Sequence, residues 1–151
     1  MEPLEIVRRF FNEVWNQRRL ELLDELVAPN CVTHQLRSAA GPIPSAPRGP
    51  SASRKHISTW LKAFPDITVT IEHQTALESE VVSWVTMRGT HRGEWQGFPP
   101  TNREVTIRTV SQHRVEDGRI IEDWVIVETL GLFQQLGLVP PTSELVTARK
   151  S

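Results

Sequence analysis

The chain has 151 residues, a formal net charge of −1, one cysteine, five tryptophans and no tyrosine. That length suits a single domain able to bury about two-thirds of its unfolded surface, and the near-neutral balance leaves no cationic excess for nucleic acid or an anionic membrane. Lone Cys31 excludes an intramolecular disulfide, no apolar run approaches the roughly 20 residues of a membrane span, and the opening residues lack a basic-then-apolar signal layout, so a cytoplasmic domain is expected.

Residues 3–17 place Leu4, Val7, Phe11 and Val14 at spacings of three and four, one face of an amphipathic helix. Leu20, Leu23, Leu26 and Val27 suggest a second, short helix that stops before Pro29. Residues 31–35 read as extended. Residues 36–53 are rich in proline and glycine and exclude a regular helix or a central strand. Two readings stand for this stretch: a solvated linker, or a flap over a ligand site. Ser51 or Ser53 can cap the next helix, whose apolar stripe is Ile57, Trp60, Leu61 and Phe64 before Pro65.

From Ile67 the period changes to two. Strands are expected at residues 67–72, 81–89, 105–114 and 120–127. Glu116-Asp117-Gly118 reads as a three-residue hairpin loop, pairing Val115 with Arg119 and setting His113 against Ile121, Ser111 against Asp123 and Thr109 against Val125. Residues 130–137 form a helical turn. The domain is expected to occupy residues 1–140, followed by a loose tail at 141–151. Three helices followed by antiparallel strands imply an α+β fold, with the helices on one face of a curved sheet.

Alternation assigns the faces. Val105, Ile107, Thr109, Ser111 and His113 form the less charged, inward set, matched by Ile121, Asp123, Val125 and Val127, and by Val81, Ser83, Val85, Met87 and His91. Asp123 is then a carboxylate on an otherwise apolar face. Either it has a partner or its pKa is raised, and both conditions mark a site; the alternative is a solvated place on the rim. Trp84 and Trp124 fall on the outer face, more aromatic surface than a monomer usually exposes, which predicts a homodimer through that face.

Several segments carry a family resemblance: Glu13-Val14-Trp15-Asn16, Leu26-Val27-Ala28-Pro29-Asn30, Gly89-Thr90-His91-Arg92-Gly93-Glu94, Gly97-Phe98-Pro99-Pro100-Thr101, Asp117-Gly118-Arg119-Ile120, and Leu130-Gly131-Leu132-Phe133-Gln134-Gln135-Leu136-Gly137. Together they resemble the SnoaL-like polyketide cyclases, "ester cyclase" type, within the nuclear-transport-factor-like and ketosteroid-isomerase-like superfamily. The resemblance implies a cone-shaped α+β barrel with a deep apolar pocket. It also implies aldol chemistry without metal or cofactor, by an aspartate on the last strand with a histidine two residues before it. In this sequence the aspartate's position holds Val125, the histidine's holds Asp123, and a further pocket histidine falls on Ser111.

Asp123 is therefore the expected general base, coupled to His113 on the neighbouring strand; the plainer reading makes His113 a rim residue that satisfies Asp123. His34 points either into the pocket mouth or away from it. Trp60, Phe64, Met87, His91, Phe98, Ser111 and Val125 are the expected substrate-binding residues, with His91 alternatively orienting the 95–101 loop. His56 and His73 are expected at the surface, and the histidines show no compact metal-ligand spacing. The absence of tyrosine removes the commonest phenolic oxyanion donor of ketosteroid-isomerase-type sites. Three functions compete: a cofactor-independent cyclase or isomerase acting on a hydrophobic carbonyl compound (a polycyclic or polyketide molecule among them), a hydroxylase or hydrolase/hydratase on the same scaffold, and a non-catalytic binder of a small lipophilic ligand.

Overall fold

The computed structural model describes residues 1–36 and 45–150. Residues 37–44 of the proline-rich stretch lie outside the described residues, and with them the choice between linker and flap.

Pro3 opens helix α1 (Pro3–Arg9), where its missing donor costs nothing. The helix continues as a π-helical segment over Phe10–Asn16, closed by a bond from the Gln17 N–H to the Asn12 carbonyl at 3.2 Å. The wider turn changes the expected stripe: Ile6 and Trp15 are buried alongside Val7, Phe11 and Val14, while Leu4 is half-buried. A 3₁₀ turn (Leu20–Leu22) and helix α2 (Leu23–Leu26) follow. Strand β1 (Val27–Leu36) starts four residues before the expected Cys31. After it come β2 (Ala46–Pro47) and helix α3 (Pro50–Ala63). The cap of α3 is Gly49 with no side-chain bond, in place of Ser51 or Ser53. Ser53 lies within the first turn, its hydroxyl donating to the Arg48 carbonyl at 3.3 Å.

Strands β3 (Thr68–Leu77), β4 (Glu80–Thr90), β5 (Glu104–Glu116) and β6 (Arg119–Val127) complete one curved six-stranded sheet in the order β2-β1-β6-β5-β4-β3. β1 runs parallel to β6 and the other pairs are antiparallel. This is the expected α+β architecture. The inward sets of β4 and β5 are all buried, from Val81 to Met87 and from Val105 to His113. Helix α4 (Thr129–Gln135) buries Leu132, with Leu136 just beyond its end. Its Gln135 amide holds both the N–H and the carbonyl of Thr106, at 2.8 and 2.9 Å. Beyond Pro140, where an irregular tail was expected, residues form helix α5 (Thr142–Lys150). Among the described residues no helix is long and apolar enough to cross a membrane.

The last hairpin corrects the expected register. Glu116 pairs with Arg119, so the loop is the two residues Asp117 and Gly118, with φ of 51° and 75°. Two successive positive-φ residues are the signature of the tight hairpin turn that matches strand twist. A β-bulge then leaves Ile121 unpaired, so Val115 faces Ile120 and Arg114 faces Glu122. His113 consequently stands opposite Asp123, Ser111 opposite Val125, and Thr109 opposite Val127. Ile120 is the buried isoleucine, not Ile121. The shorter loop and the added residue cancel in parity, so Asp123, Val125 and Val127 keep their inward side.

Candidate active site

The cavity between the helices and the concave sheet face is built from three neighbouring strands and the helices above them. In one rung Thr33 on β1, Asp123 on β6 and His113 on β5 stand side by side; in the next stand Gln35, Val125 and Ser111. All six line the cavity. Phe10, Phe11 and Trp15 close it from the first helix, Ile57 and Trp60 from α3, and Val85 and Met87 from β4. The π-helical turn brings Phe10 and Phe11 together over His113, with ring centroids 5.5 and 5.8 Å away. Wide turns of this kind recur where a helix must present extra residues to a site.

His113 Nε2 lies 3.6 Å from Asp123 Oδ2, outside hydrogen-bond range but within close electrostatic reach. Burial drives the His113 pKa below its ordinary value, and the neighbouring carboxylate only partly opposes this. Near neutral pH the imidazole is therefore uncharged. Four buried polar atoms in this cavity have no hydrogen-bond partner within the described residues: Thr33 Oγ1, Ser111 Oγ, His113 Nδ1 and Asp123 Oδ1. Buried polar atoms are paired in the great majority of cases, so four on one wall of one cavity set it apart from ordinary core.

Cys31 lines the same cavity and is buried. Desolvation, with a further contribution from Asp123, pushes its thiol up to about 12, so it is a neutral wall residue and not a thiolate nucleophile. Sequence reasoning also missed Thr33, Gln35, Arg48 and Ser53 as lining residues, and it placed His56 at the surface where the structure sets it in the cavity wall. Among the described residues no group of three His, Cys, Asp or Glu side chains is placed to hold a metal ion.

A family model for SnoaL-like polyketide cyclases matches residues 5–136. The chain belongs to that family. Among solved structures this SnoaL-like chain is similar to wild-type IdmH, a proposed polyketide cyclase from Streptomyces antibioticus, at 32% identity and a TM-score of 0.77 over 91% of this chain and 99% of that one. It is also similar to AclR, a proposed hydroxylase from Streptomyces galilaeus, at 25% identity and a TM-score of 0.77 over 98% and 90% of the two chains. A SnoaL-like protein from Jannaschia shares the fold at 21% identity and a TM-score of 0.79, over 91% of this chain and 93% of that one. No functionally curated protein matches the sequence.

In this SnoaL-like protein the expected site residues divide into two groups. Asp123, His113, Ser111, Val125, Trp60 and Met87 meet in the cavity. His34 does not: its ring stacks on Trp124 at 5.0 Å, and its nitrogens reach Ser45 Oγ at 2.5 Å and Glu122 Oε2 at 2.7 Å. Both partners of this pairing, with Arg114 bonded to Glu122 at 2.6 Å, sit on the opposite face of the sheet from Thr33 and Asp123. Bonds from His34 and Arg114 hold the Glu122 carboxyl below its ordinary range. His34 is thus hydrogen-bonded on the convex face and does not line the cavity that holds Asp123.

Phe64, His91 and Phe98 are likewise absent from the cavity lining. Phe64 stacks on His91 at 5.3 Å, while Phe98 packs on Phe133 at 6.1 Å. His91 Nδ1 accepts the Thr101 backbone N–H at 3.2 Å, and its backbone exchanges bonds with Asn102 and Arg103 at 2.9 Å each. It holds the loop before β5 in place.

The neutral, buried His113 carries a pH signature. In the unfolded chain it takes up a proton below about pH 6.5, whereas the folded state resists protonation until lower pH. The unfolded state then binds more protons, so stability is full above that pH and falls as pH drops through it. His91, shifted the same way by burial, adds to the slope. Denaturant midpoints between about pH 7.5 and 5 should fall for the wild type and fall less for His113→Asn; equal slopes would show that His113 is not the buried neutral base described.

Proposed function

We propose that this protein performs cofactor-independent acid/base chemistry on a hydrophobic, carbonyl-containing small molecule, by isomerisation or intramolecular aldol cyclisation. The observation that carries this reading is the set of four unpartnered polar atoms around Asp123 in a cavity whose wall also carries Phe10, Phe11, Trp15, Trp60 and aliphatic side chains, with Gln35, Arg48, Ser53, His56 and Thr109 as its further polar lining. Flat aromatic walls suit a planar or polycyclic ligand. Asp123 takes a proton from the carbon next to the carbonyl; the C–H electron pair forms the enolate C=C bond as the carbonyl π pair moves onto the oxygen. The hydroxyls of Thr33 and Ser111 are donors for that oxygen, the role a tyrosine would otherwise fill. Neutral His113 orients the Asp123 carboxylate. The proton then returns to a different carbon, completing an isomerisation. In the aldol case the enolate carbon attacks a second carbonyl, and the resulting alkoxide takes the proton from Asp123.

Val125 favours a second reading, a non-catalytic binder of a lipophilic ligand, since the family's aspartate position holds a side chain that cannot transfer protons. Hydrogen–deuterium exchange at the α-carbons of 2-tetralone in D₂O, followed by NMR, separates the two. The enzyme reading expects accelerated exchange, reduced about 10²–10⁴-fold by Asp123→Asn with little change in binding. Binding without accelerated exchange supports the carrier.

The reading includes a homodimer through the convex sheet face. Trp84 and Ile126 are 50% and 51% exposed, and both pair with Val110, forming one apolar rung across three strands. Trp124, by contrast, is half-buried under His34, so the apolar patch is narrower than two free tryptophans would make it. Sedimentation at micromolar concentration should give a dimer for the wild type and a monomer for Trp84→Glu; a monomeric wild type would remove the interface.

A further inference from the structure

The concave face of the sheet continues past the cavity. On β4 the inward residues Val85, Met87 and Gly89 follow one another rung by rung, and on β5 Thr109, Ile107 and Val105 stand opposite them. Val85 and Thr109 line the cavity that holds Asp123, whereas Ile107, Gly89 and Val105 line a second, smaller hollow. Met87 from the sheet and Trp60 from α3 line both, so these two side chains form a partition between consecutive stretches of one groove. Phe64 and Ile67 complete the far stretch, and glycine keeps it open: a Cβ at residue 89 would meet the Phe64 Cβ at 3.1 Å and the Ile67 Cα at 3.4 Å. The hollow has room for about one carbon-sized group. Its described lining carries no side-chain hydroxyl, amide or carboxylate. Arg88, which also borders it, falls by alternation on the outward side of β4 and is exposed. Met87 is unbranched and adaptable, which lets the partition yield to a ligand.

We propose that the far stretch is an apolar-tail subsite: the ligand lies along the groove with its carbonyl end at Asp123 and a linear alkyl chain that passes Met87 and ends against Val105 and Gly89. This rests on the small-molecule reading of the cavity and adds the ligand's length and orientation to it. Four polar atoms without partners gather at the Asp123 end, and the Val105 end lacks such groups. A ligand with one polar and one apolar end therefore fits only one way round, because a carbonyl at the far end would lose its hydrogen bonds. Strand geometry adds a length requirement. From His113 to Ile107 on β5 is six residues, about 20 Å along an extended strand. That is well beyond the span of two fused rings and calls for an extended tail.

A series of 6-n-alkyl-2-tetralones, from 2-tetralone itself to the octyl compound, titrated calorimetrically into the full chain, measures the groove. Each buried carbon should tighten Kd about fourfold, the equivalent of about 0.8 kcal/mol per methylene. The gain should stop at the chain length that reaches the end of the far stretch. Val105 lines that stretch and not the cavity of Asp123, so its size should set the limit. Val105→Ile should shorten the limiting chain by about one carbon and Val105→Ala lengthen it by about one, with 2-tetralone bound as by the wild type. The two changes act in opposite directions, so either variant that folds decides the matter. Affinity that does not rise with chain length, or a limit unchanged by the Val105 variants, would overturn the subsite, while binding of 2-tetralone leaves the cavity reading standing. Binding of no member of the series to folded protein would overturn both.

Discussion

The geometry of the cavity depends on one rung of the sheet. The two-residue turn at Asp117–Gly118 and the bulge at Ile121 together bring Asp123 level with His113 on one side, while the parallel pairing of β1 brings Thr33 level with it on the other. A slip of one residue in either pairing would send Asp123 to the convex face and bring Glu122 or Trp124 inward. Turn chemistry therefore decides which carboxylate the cavity receives. Asp117 accepts a positive φ better than most residues, Gly118 accepts it freely, and the rest of the site follows from that pair.

Around this rung the helices supply a low-polarity environment. The π-helical turn sets Phe10 and Phe11 over His113, and burial then keeps the imidazole neutral. The same environment keeps Cys31 protonated despite its place in the wall. Val125 removes the aspartate that the family resemblance would place there. Asp123, one inward position earlier on the same strand, is the group left facing the cavity. Membership of the SnoaL-like family thus fixes the scaffold, while a shared scaffold does not by itself fix the chemistry.

Much of this arrangement is legible in the sequence. The inward faces of residues 105–113 and 81–87 are readable from strand parity and from the lower charge of one set on 105–113, although Val82, Trp84 and Val110 on the outer side and Ser83, Thr109 and Ser111 on the inner side break a strict polar–apolar alternation. The inward side of Asp123 is also readable, although its partner is not: a three-residue loop without a bulge and a two-residue loop with one give the same parity but different registers. His34 is unreadable because β1 is irregular between Val27 and Val32, where Pro29 and Asn30 interrupt the pairing with β6. Its alternation cannot be carried through that break. Phe64, His91 and Phe98 belong to a second aromatic group with Trp95 and Phe133, and composition does not separate one aromatic group from another. Arg48 escapes notice because it lies within a proline-rich stretch with no period from which to read a face.

The central claim is that the polar atoms of the Asp123 rung face a ligand and do not hold the fold together. Thr33→Val tests it most directly, since valine keeps the shape and removes only the unpartnered hydroxyl. Denaturant unfolding should show stability unchanged or raised by up to about 1 kcal/mol, as expected when an unsatisfied buried group is replaced by an apolar one. A loss of about 1–2 kcal/mol, the usual consequence of deleting a working intramolecular hydrogen bond, would contradict the account.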